Sequence, residues 1–312
     1  HSFTVSAPFW MTVPAYILYL ILPVLIVYVI IKIRLRNIRK EKKFLELKIM
    51  QRTADLARKN KDITDSIVYA KRIQEAILPL KAEIEKALPD SFILYKPRDI
   101  VSGDFYWFTK QFGKVLIAAV DCTGHGVPGA FMSMIGNDLL GQTVKVKGII
   151  EPALVLDDLN TGVRTALKQD RERAETRDGM DIALCLIDRK ENRLEFSGAH
   201  RPLYLARNGA IEVIPGDKHF IGGLLQNDRK PYANRVIQIR KNDTVYLFTD
   251  GFLDQFGGPD GKKFMARRFR KTLLGIQGYS MKEQETQLNR VFSEWMTGYE
   301  QVDDILVIGI RF

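Results

Sequence analysis

Cysteine is nearly absent from this chain. Of 312 residues only Cys122 and Cys185 are cysteines, isolated and without paired spacing. This excludes a disulfide framework and fits a reducing compartment. Neither has an arginine six residues downstream, so a cysteine-nucleophile phosphatase loop is also excluded. Histidine is scarce too, limited to His1, His125, His200 and His219. None falls between Phe44 and Leu80, where a membrane-linked histidine kinase would carry its phosphoacceptor. Charge is missing from Val13 to Ile31, and glycine is missing from Phe44 to Leu80. No internal repeat or low-complexity stretch is present.

What is there begins with enough apolar material, 46% of residues, to fill a sizeable core. At about 1.5 Å per residue the uncharged run at 13–31 reaches roughly 28 Å as a helix, close to bilayer hydrocarbon thickness. A transmembrane helix is expected, with Pro23 as a kink and Phe9, Trp10, Tyr16 and Tyr19 as an aromatic belt. A cleaved signal peptide would carry its basic residues before the apolar core and small residues after it. Here Lys32, Arg34, Arg36, Arg39, Lys40, Lys42 and Lys43 follow. The net charge of +10 is concentrated there, which points to a membrane surface rather than to nucleic acid, and places everything beyond Lys32 in the cytoplasm. A buried helix of a soluble protein is the competing reading. Because the chain opens on His1, residues 1–12 are expected to end an extracytoplasmic region of a longer protein.

Residues 32–90 read as a basic juxtamembrane segment followed by linker helices. Ile49, Leu56, Ile63, Ala70 and Ile77 recur every seven residues, and the matching a positions are Thr53, Asn60, Ile67 and Gln74. An apolar seam interrupted by polar residues predicts a weak parallel coiled-coil homodimer, against the alternative of one amphipathic helix lying on the following domain. Leu78-Pro79 closes the linker, and a short helix follows at Lys81–Leu88.

From residue 91 to 312 the pattern changes to short apolar runs bounded by Gly, Asn and Asp. Strands are predicted around Ile93–Tyr95, Phe105–Phe108, Val115–Val120, Ile182–Ile187, Arg193–Phe196, Leu203–Ala206, Val236–Ile239, Thr244–Phe248 and Ile305–Phe312. Helices are predicted at Gly129–Val146, Pro152–Lys168, Lys263–Leu274 and Met281–Met296, with a hairpin turn at Asn208-Gly209. Hairpin-length links argue for antiparallel sheets covered by helices, an α+β layered domain.

Four of these strands deliver aspartates to turns: Ser102-Gly103-Asp104, Asp121 before Gly124-His125-Gly126, Asp250-Gly251, and Asp303-Asp304. A single aspartate at a turn is ordinary cap chemistry. Four at strand ends can converge on hard divalent cations, for which all-oxygen ligation selects Mg²⁺ or Mn²⁺. Two such ions acidify a shared water and stabilise both oxygens of an in-line displacement at phosphorus.

These motifs, in this order, make the segment from about Arg98 to Phe312 resemble the SpoIIE/RsbU class of the PPM (PP2C-like) metal-dependent serine/threonine phosphatases. The stretch from Asp62 through Ala70-Lys71-Arg72-Ile73-Gln74 to Leu78-Pro79 is similar to the linker of membrane-anchored bacterial members. Ala7-Pro8-Phe9-Trp10 is similar to the end of the extracytoplasmic β domain of large bacterial sensors with propeller repeats.

The resemblance implies an α-β-β-α sandwich of two antiparallel sheets holding two Mn²⁺ or Mg²⁺ ions. On it, Asp104 and Asp121 are the catalytic metal-contacting residues, with Asp121 bridging and the Cys122 carbonyl adding an oxygen. Asp250 and the Asp303-Asp304 pair complete the shell, Asp303 directly and Asp304 by orienting it. Gly124, His125, Gly126 and Arg98 are candidates for substrate contact or loop support, and His200 is expected to be structural. Asp178 and Asp181 fall where the sequence departs from the family pattern, and either an extra metal or substrate contact or plain loop carboxylates fit them. The implied substrate is a phosphorylated bacterial signalling protein, such as an anti-sigma-factor antagonist, at the cytoplasmic membrane. The alternative is a non-catalytic phosphatase-like module that only binds a partner.

Overall fold

The computed structural model describes residues 8–170, 176–223 and 230–312. Residues 1–7, which include Ala7 of the Ala7-Pro8-Phe9-Trp10 match, lie outside the described residues. The chain forms two units, one up to Asp65 and one from Ser66 onward.

Helix α1 runs unbroken from Val13 to Ile77, after a 3-10 turn at Phe9–Met11. The sequence suggests a span and a separate linker; here they are one helix. The basic segment between them contains no helix breaker, and its continuation is supported by pairs one turn apart such as Lys42–Glu46, 3.9 Å. Among the described residues this is the one helix long and apolar enough to cross a membrane, with a mean hydropathy of 2.5 in its most apolar window. Ile49, Leu56 and Ile63 of the heptad row are exposed.

The second unit takes the last turns of α1, then α2 (Lys81–Ala87), β1 (Ser91–Lys96), β2 (Phe105–Gln111), β3 (Lys114–Cys122), α3 (Gly126–Gly141) and α4 (Pro152–Ala166). Strands β4 (Gly179–Asp188), β5 (Arg193–Ala199), β6 (Leu203–Arg207), β7 (Ala210–Ile214), β8 (Ile221–Gly222), β9 (Arg235–Gln238) and β10 (Thr244–Phe248) follow. The chain ends with α5 (Gly251–Asp254), the small hairpin β11 (Phe256–Gly257) and β12 (Lys262–Lys263), α6 (Met265–Gly275), α7 (Met281–Trp295) and β13 (Ile305–Arg311).

Two antiparallel sheets result, one in the order β1-β13-β10-β6-β7 and one in the order β2-β3-β4-β5-β9 with β8 beside β4. Period-two alternation decides which side each residue faces. Ile117 and Ala119 of β3 join Val245, Leu247 and Ile308 in a core shared by the two sheets. Leu116, Ala118 and Val120 point the other way, into a second core with Leu156 and Leu159 of α4. Phe248 and Val307 face a third, aromatic core against Phe269 of α6 and Phe292 of α7. Strands buried on both faces read as continuous apolar runs, which is why they stand out in the sequence.

The differences from expectation are local. The predicted helix at Gly129–Val146 starts earlier, at Gly126, and its last turn, Gln142–Val146, widens to a π-helix. β8, β11 and β12, two residues each, are too short to be read, and β7, absent from the predicted strands, is the second arm of the Asn208-Gly209 hairpin, where both turn residues have positive φ.

Candidate active site

The two sheets bring their strand ends together at one edge. β3 ends on Asp121 and Cys122, β10 is followed by Asp250 at the start of α5, and β13 is preceded by Asp303 and Asp304. Asp121 lies opposite Asp181 in the β3–β4 ladder. Asp121, Asp181, Asp250 and Asp303, together with His125 and Arg177, line a cavity of about 320 Å³.

Asp104 sits behind this cavity, in the loop between β1 and β2, and is buried. Close packing of glycines puts it there. A Cβ on Gly129 would strike the Gly124 carbonyl and the Cα of Gly103, so both glycines are needed for the loop to lie on the β3–α3 turn. Asp304 clamps the same loop: its Oδ1 accepts from the Arg98 backbone N–H and its Oδ2 from that of Gly103, each at 2.7 Å. The Tyr95 hydroxyl donates to the Asp104 carbonyl at 3.1 Å.

The electrostatics are those of carboxylates short of cations. Burial, then the charge of Asp121, raises the Asp104 carboxyl well above the ordinary range, with the Thr249 side chain offsetting part of the rise. Burial pushes Asp121 to about 8, opposed by Arg201 and reinforced by Asp250 and Asp181. Asp181 and Asp303 are raised by burial as well. Asp104 Oδ2 is buried with no hydrogen-bond partner. A buried, unpartnered carboxylate oxygen beside further carboxylates suits a hard cation, so the donor set fits Mg²⁺ or Mn²⁺. Among the described residues no three acidic, histidine or cysteine side chains stand close enough together to hold a metal ion. Arg201 stands among three of these carboxylates, its Nη2 2.8 Å from Asp121, 2.7 Å from Asp250 and 3.0 Å from Asp181.

The remaining candidates fall at the margin. His125 lines the cavity, and its Nδ1 is 2.8 Å from Asp99 Oδ2. Gly124 and Gly126 form its turn, with φ of 84° and 63°. Arg98 is tied by its side chain to the Val302 carbonyl, 2.9 Å, and exposed Arg177 is the cation at the cavity wall. His200 stands behind Asp181, its ring nitrogens 3.1 Å from Asp181 Oδ1 and 2.7 Å from the Lys218 carbonyl. Asp178 accepts from Gln169 through its backbone carbonyl, 2.6 Å.

Sequence reasoning missed Arg201, Asp99 and Gln74. Arg201 lies in the short link by which the chain passes from β5 of one sheet to β6 of the other, a position that nothing local in the sequence marks as facing the aspartates. Gln74, read as a polar a position of the seam, instead turns inward. It donates to the Ser102 carbonyl at 2.6 Å and to Ser133 Oγ at 2.8 Å, and accepts from the Ser102 N–H at 3.1 Å. Being one polar residue among many on a linker helix, it gives no signal before folding.

The model of the family described as stage II sporulation protein E (SpoIIE) matches residues 111–312. The phosphoserine phosphatase RsbU of Bacillus subtilis (strain 168) is 28% identical over 198 residues, which are 61% of this chain and 54% of that protein. The chain therefore spans about half the length of this curated relative. Among solved structures, the SiaA-PP2C domain of Pseudomonas aeruginosa is 36% identical at a TM-score of 0.73, covering 81% of this chain and 98% of that one. The PP2C phosphatase domain of SpoIIE from Bacillus subtilis shares the fold at 18% identity and a TM-score of 0.56, covering 71% of this chain and 61% of the other. With two helix-covered antiparallel sheets, aspartates gathered at one sheet edge and these matches, the chain belongs to the SpoIIE family of PP2C-like serine phosphatases.

Proposed function

We propose that this chain is a membrane-anchored, metal-dependent protein serine/threonine phosphatase acting on a phosphorylated bacterial signalling protein, such as an anti-sigma-factor antagonist. The observation that carries the reading is the meeting of Asp121, Asp250 and Asp303 around one cavity, with Asp104 buried beside Asp121 and its Oδ2 left without a partner.

Asp104, Asp121, Asp250, Asp303 and the Cys122 carbonyl would hold the ions, while Asp304 orients the Asp104 loop. Two bound Mn²⁺ or Mg²⁺ ions would supply activated water and charge neutralisation for in-line displacement at phosphorus. The protein's own part is positional: buried carboxylates fixed by two sheets require no reorganisation when charge develops. Arg177 is placed to attract a phosphoryl group, and His125, held by Asp99, stands at the cavity wall to meet the departing serine oxygen. The chain incubated with Mn²⁺ should release phosphate from phosphoserine protein, and Asp121→Asn should lower the rate by at least 100-fold. A folded, Mn²⁺-loaded chain that is inactive and indifferent to Asp121→Asn would leave only the partner-binding role.

Control belongs to α1 in this reading. Its apolar start at 13–31 crosses the membrane, its heptad row pairs with a second copy, and its last turns reach the site through Gln74. Because Gln74 bonds both backbone groups of Ser102, two residues before Asp104, a shift of the linker changes the loop that carries a metal ligand.

A further inference from the structure

Arg201 is a cation held against the carboxylates that line the cavity. Its Nη2 meets Oδ2 of Asp121 at 2.8 Å, of Asp181 at 3.0 Å and of Asp250 at 2.7 Å, three carboxylates carried by β3, β4 and the end of β10. The side chain is only 15% exposed. Burial works against its charge, but the surrounding Asp121, Asp250 and Asp181 carboxylates overcome it and keep the guanidinium protonated.

The turn that carries Arg201 is built to keep it in place. His200 adopts φ 57°, and its N–H donates to the Asp217 carbonyl at 2.8 Å while the Asp217 N–H returns to the Gly198 carbonyl at 2.7 Å. A Cβ on Gly198 or Gly216 would strike the Arg201 carbonyl, so the chain packs there without room to shift. Asp181 is committed to this same turn through both of its oxygens, Oδ1 facing His200 at 3.1 Å and Oδ2 facing Arg201. Asp104, by contrast, has a buried oxygen without a partner, and the guanidinium engages only Oδ2 of Asp121 and Asp250.

We propose that Arg201 is a resident cation of the metal cavity, occupying its Asp181 side and confining divalent ions to the side of Asp104 and Asp303. Asp181 is then a partner of Arg201 and His200 and not a metal ligand, which gives a role to the carboxylate that departs from the family pattern. A guanidinium and a further divalent ion cannot both sit against Oδ2 of the same three carboxylates, because ligand distances of about 2.0–2.1 Å for Mg²⁺ would bring two positive charges into contact, whereas the other oxygens of Asp121 and Asp250 stay open to the bound ions. The inference rests on the metal-dependent reading above, and Arg201 acts as a positioning residue.

The test counts Mn²⁺ ions bound per chain at saturation by equilibrium dialysis, on the whole 312-residue chain, with folding checked by circular dichroism. Arg201→Met removes the cation from Asp121, Asp181 and Asp250, and the count should rise by one ion. Adding Asp181→Asn to Arg201→Met should return the count to that of the unaltered chain. Arg201→Lys, which keeps the charge, and Asp181→Asn alone should leave it unchanged. An unchanged or lower count in folded Arg201→Met overturns the inference. If that variant does not fold, Asp181→Asn decides alone, since loss of one ion would make Asp181 a ligand. An unaltered chain that binds no Mn²⁺ overturns the metal-dependent reading itself, whereas a failure confined to the Arg201 and Asp181 variants leaves it standing.

Discussion

At the residue scale, the same pairing of arginine with buried aspartate has opposite consequences at the two ends of the sandwich. Around Arg201 three carboxylates compete for one guanidinium, and Asp121 remains raised. At the far end Arg207 and Asp243 form a matched pair, with Nε–Oδ1 at 3.0 Å, a second contact to Oδ2, and the Arg240 N–H adding a bond of 2.7 Å. There burial raises the Asp243 carboxyl, but the Arg207 bonds outweigh it and hold the group below its usual range. A depressed folded-state pKa means that the unfolded chain binds more protons, so stability is present above the ordinary carboxylate value of about 3.9 and is lost as pH falls through the lowered one. Asp243→Asn should therefore cost about 1.5–3 kcal/mol at neutral pH and remove part of the acid sensitivity. Thermal melts of both proteins from neutral pH to strongly acidic pH check this, and parallel curves would count against it.

At the scale of the element, α1 carries most of what is proposed about regulation. Its seam has Ile at 49, 63 and 67 but Thr53, Asn60 and Gln74 among the a positions, so a pair of such helices would be held weakly enough to be adjusted. Asn60→Ile should strengthen the dimer, seen as a shift to the dimeric species in sedimentation at concentrations where the unaltered chain dissociates. Phosphatase turnover should change with it, since the linker ends on Gln74 and the Ser102 loop; unchanged turnover in a tighter dimer would disconnect the two. Gln74 shows why periodicity reads such a helix incompletely. A heptad pattern assigns positions relative to a partner helix, whereas the last turns of α1 pack on Ser102 and Ser133 of the catalytic unit.

At the scale of the whole molecule, the long apolar start of α1 should hold the chain in membranes. It should stay in the membrane pellet after alkaline carbonate washing and be released by detergent, while a chain beginning at Phe44 should be recovered in the soluble fraction. Full release of the intact chain by carbonate would contradict anchoring. Antiparallel strands covered by helices were legible because the strands are apolar on both faces and one hairpin carries Asn208-Gly209, both local signals, whereas their division into two sheets came from the resemblance. The short strands β8, β11 and β12 were not, because two residues contain no period.

The residues alone determined the donor chemistry. Aspartates beside glycines at the ends of apolar strands supply an all-oxygen donor set and name the strands that deliver it, because strand, turn and side-chain type are set by neighbours in the chain. The tertiary structure decided how those aspartates are used. Asp304 clamps a loop whose Gly103 lies 201 residues away, Arg201 reaches Asp121 across 80 and Asp250 across 49, and Gln74 reaches Ser102 across 28. Such partnerships exist only once two sheets have packed, since what an ionised group does depends on the charges and burial that folding places around it.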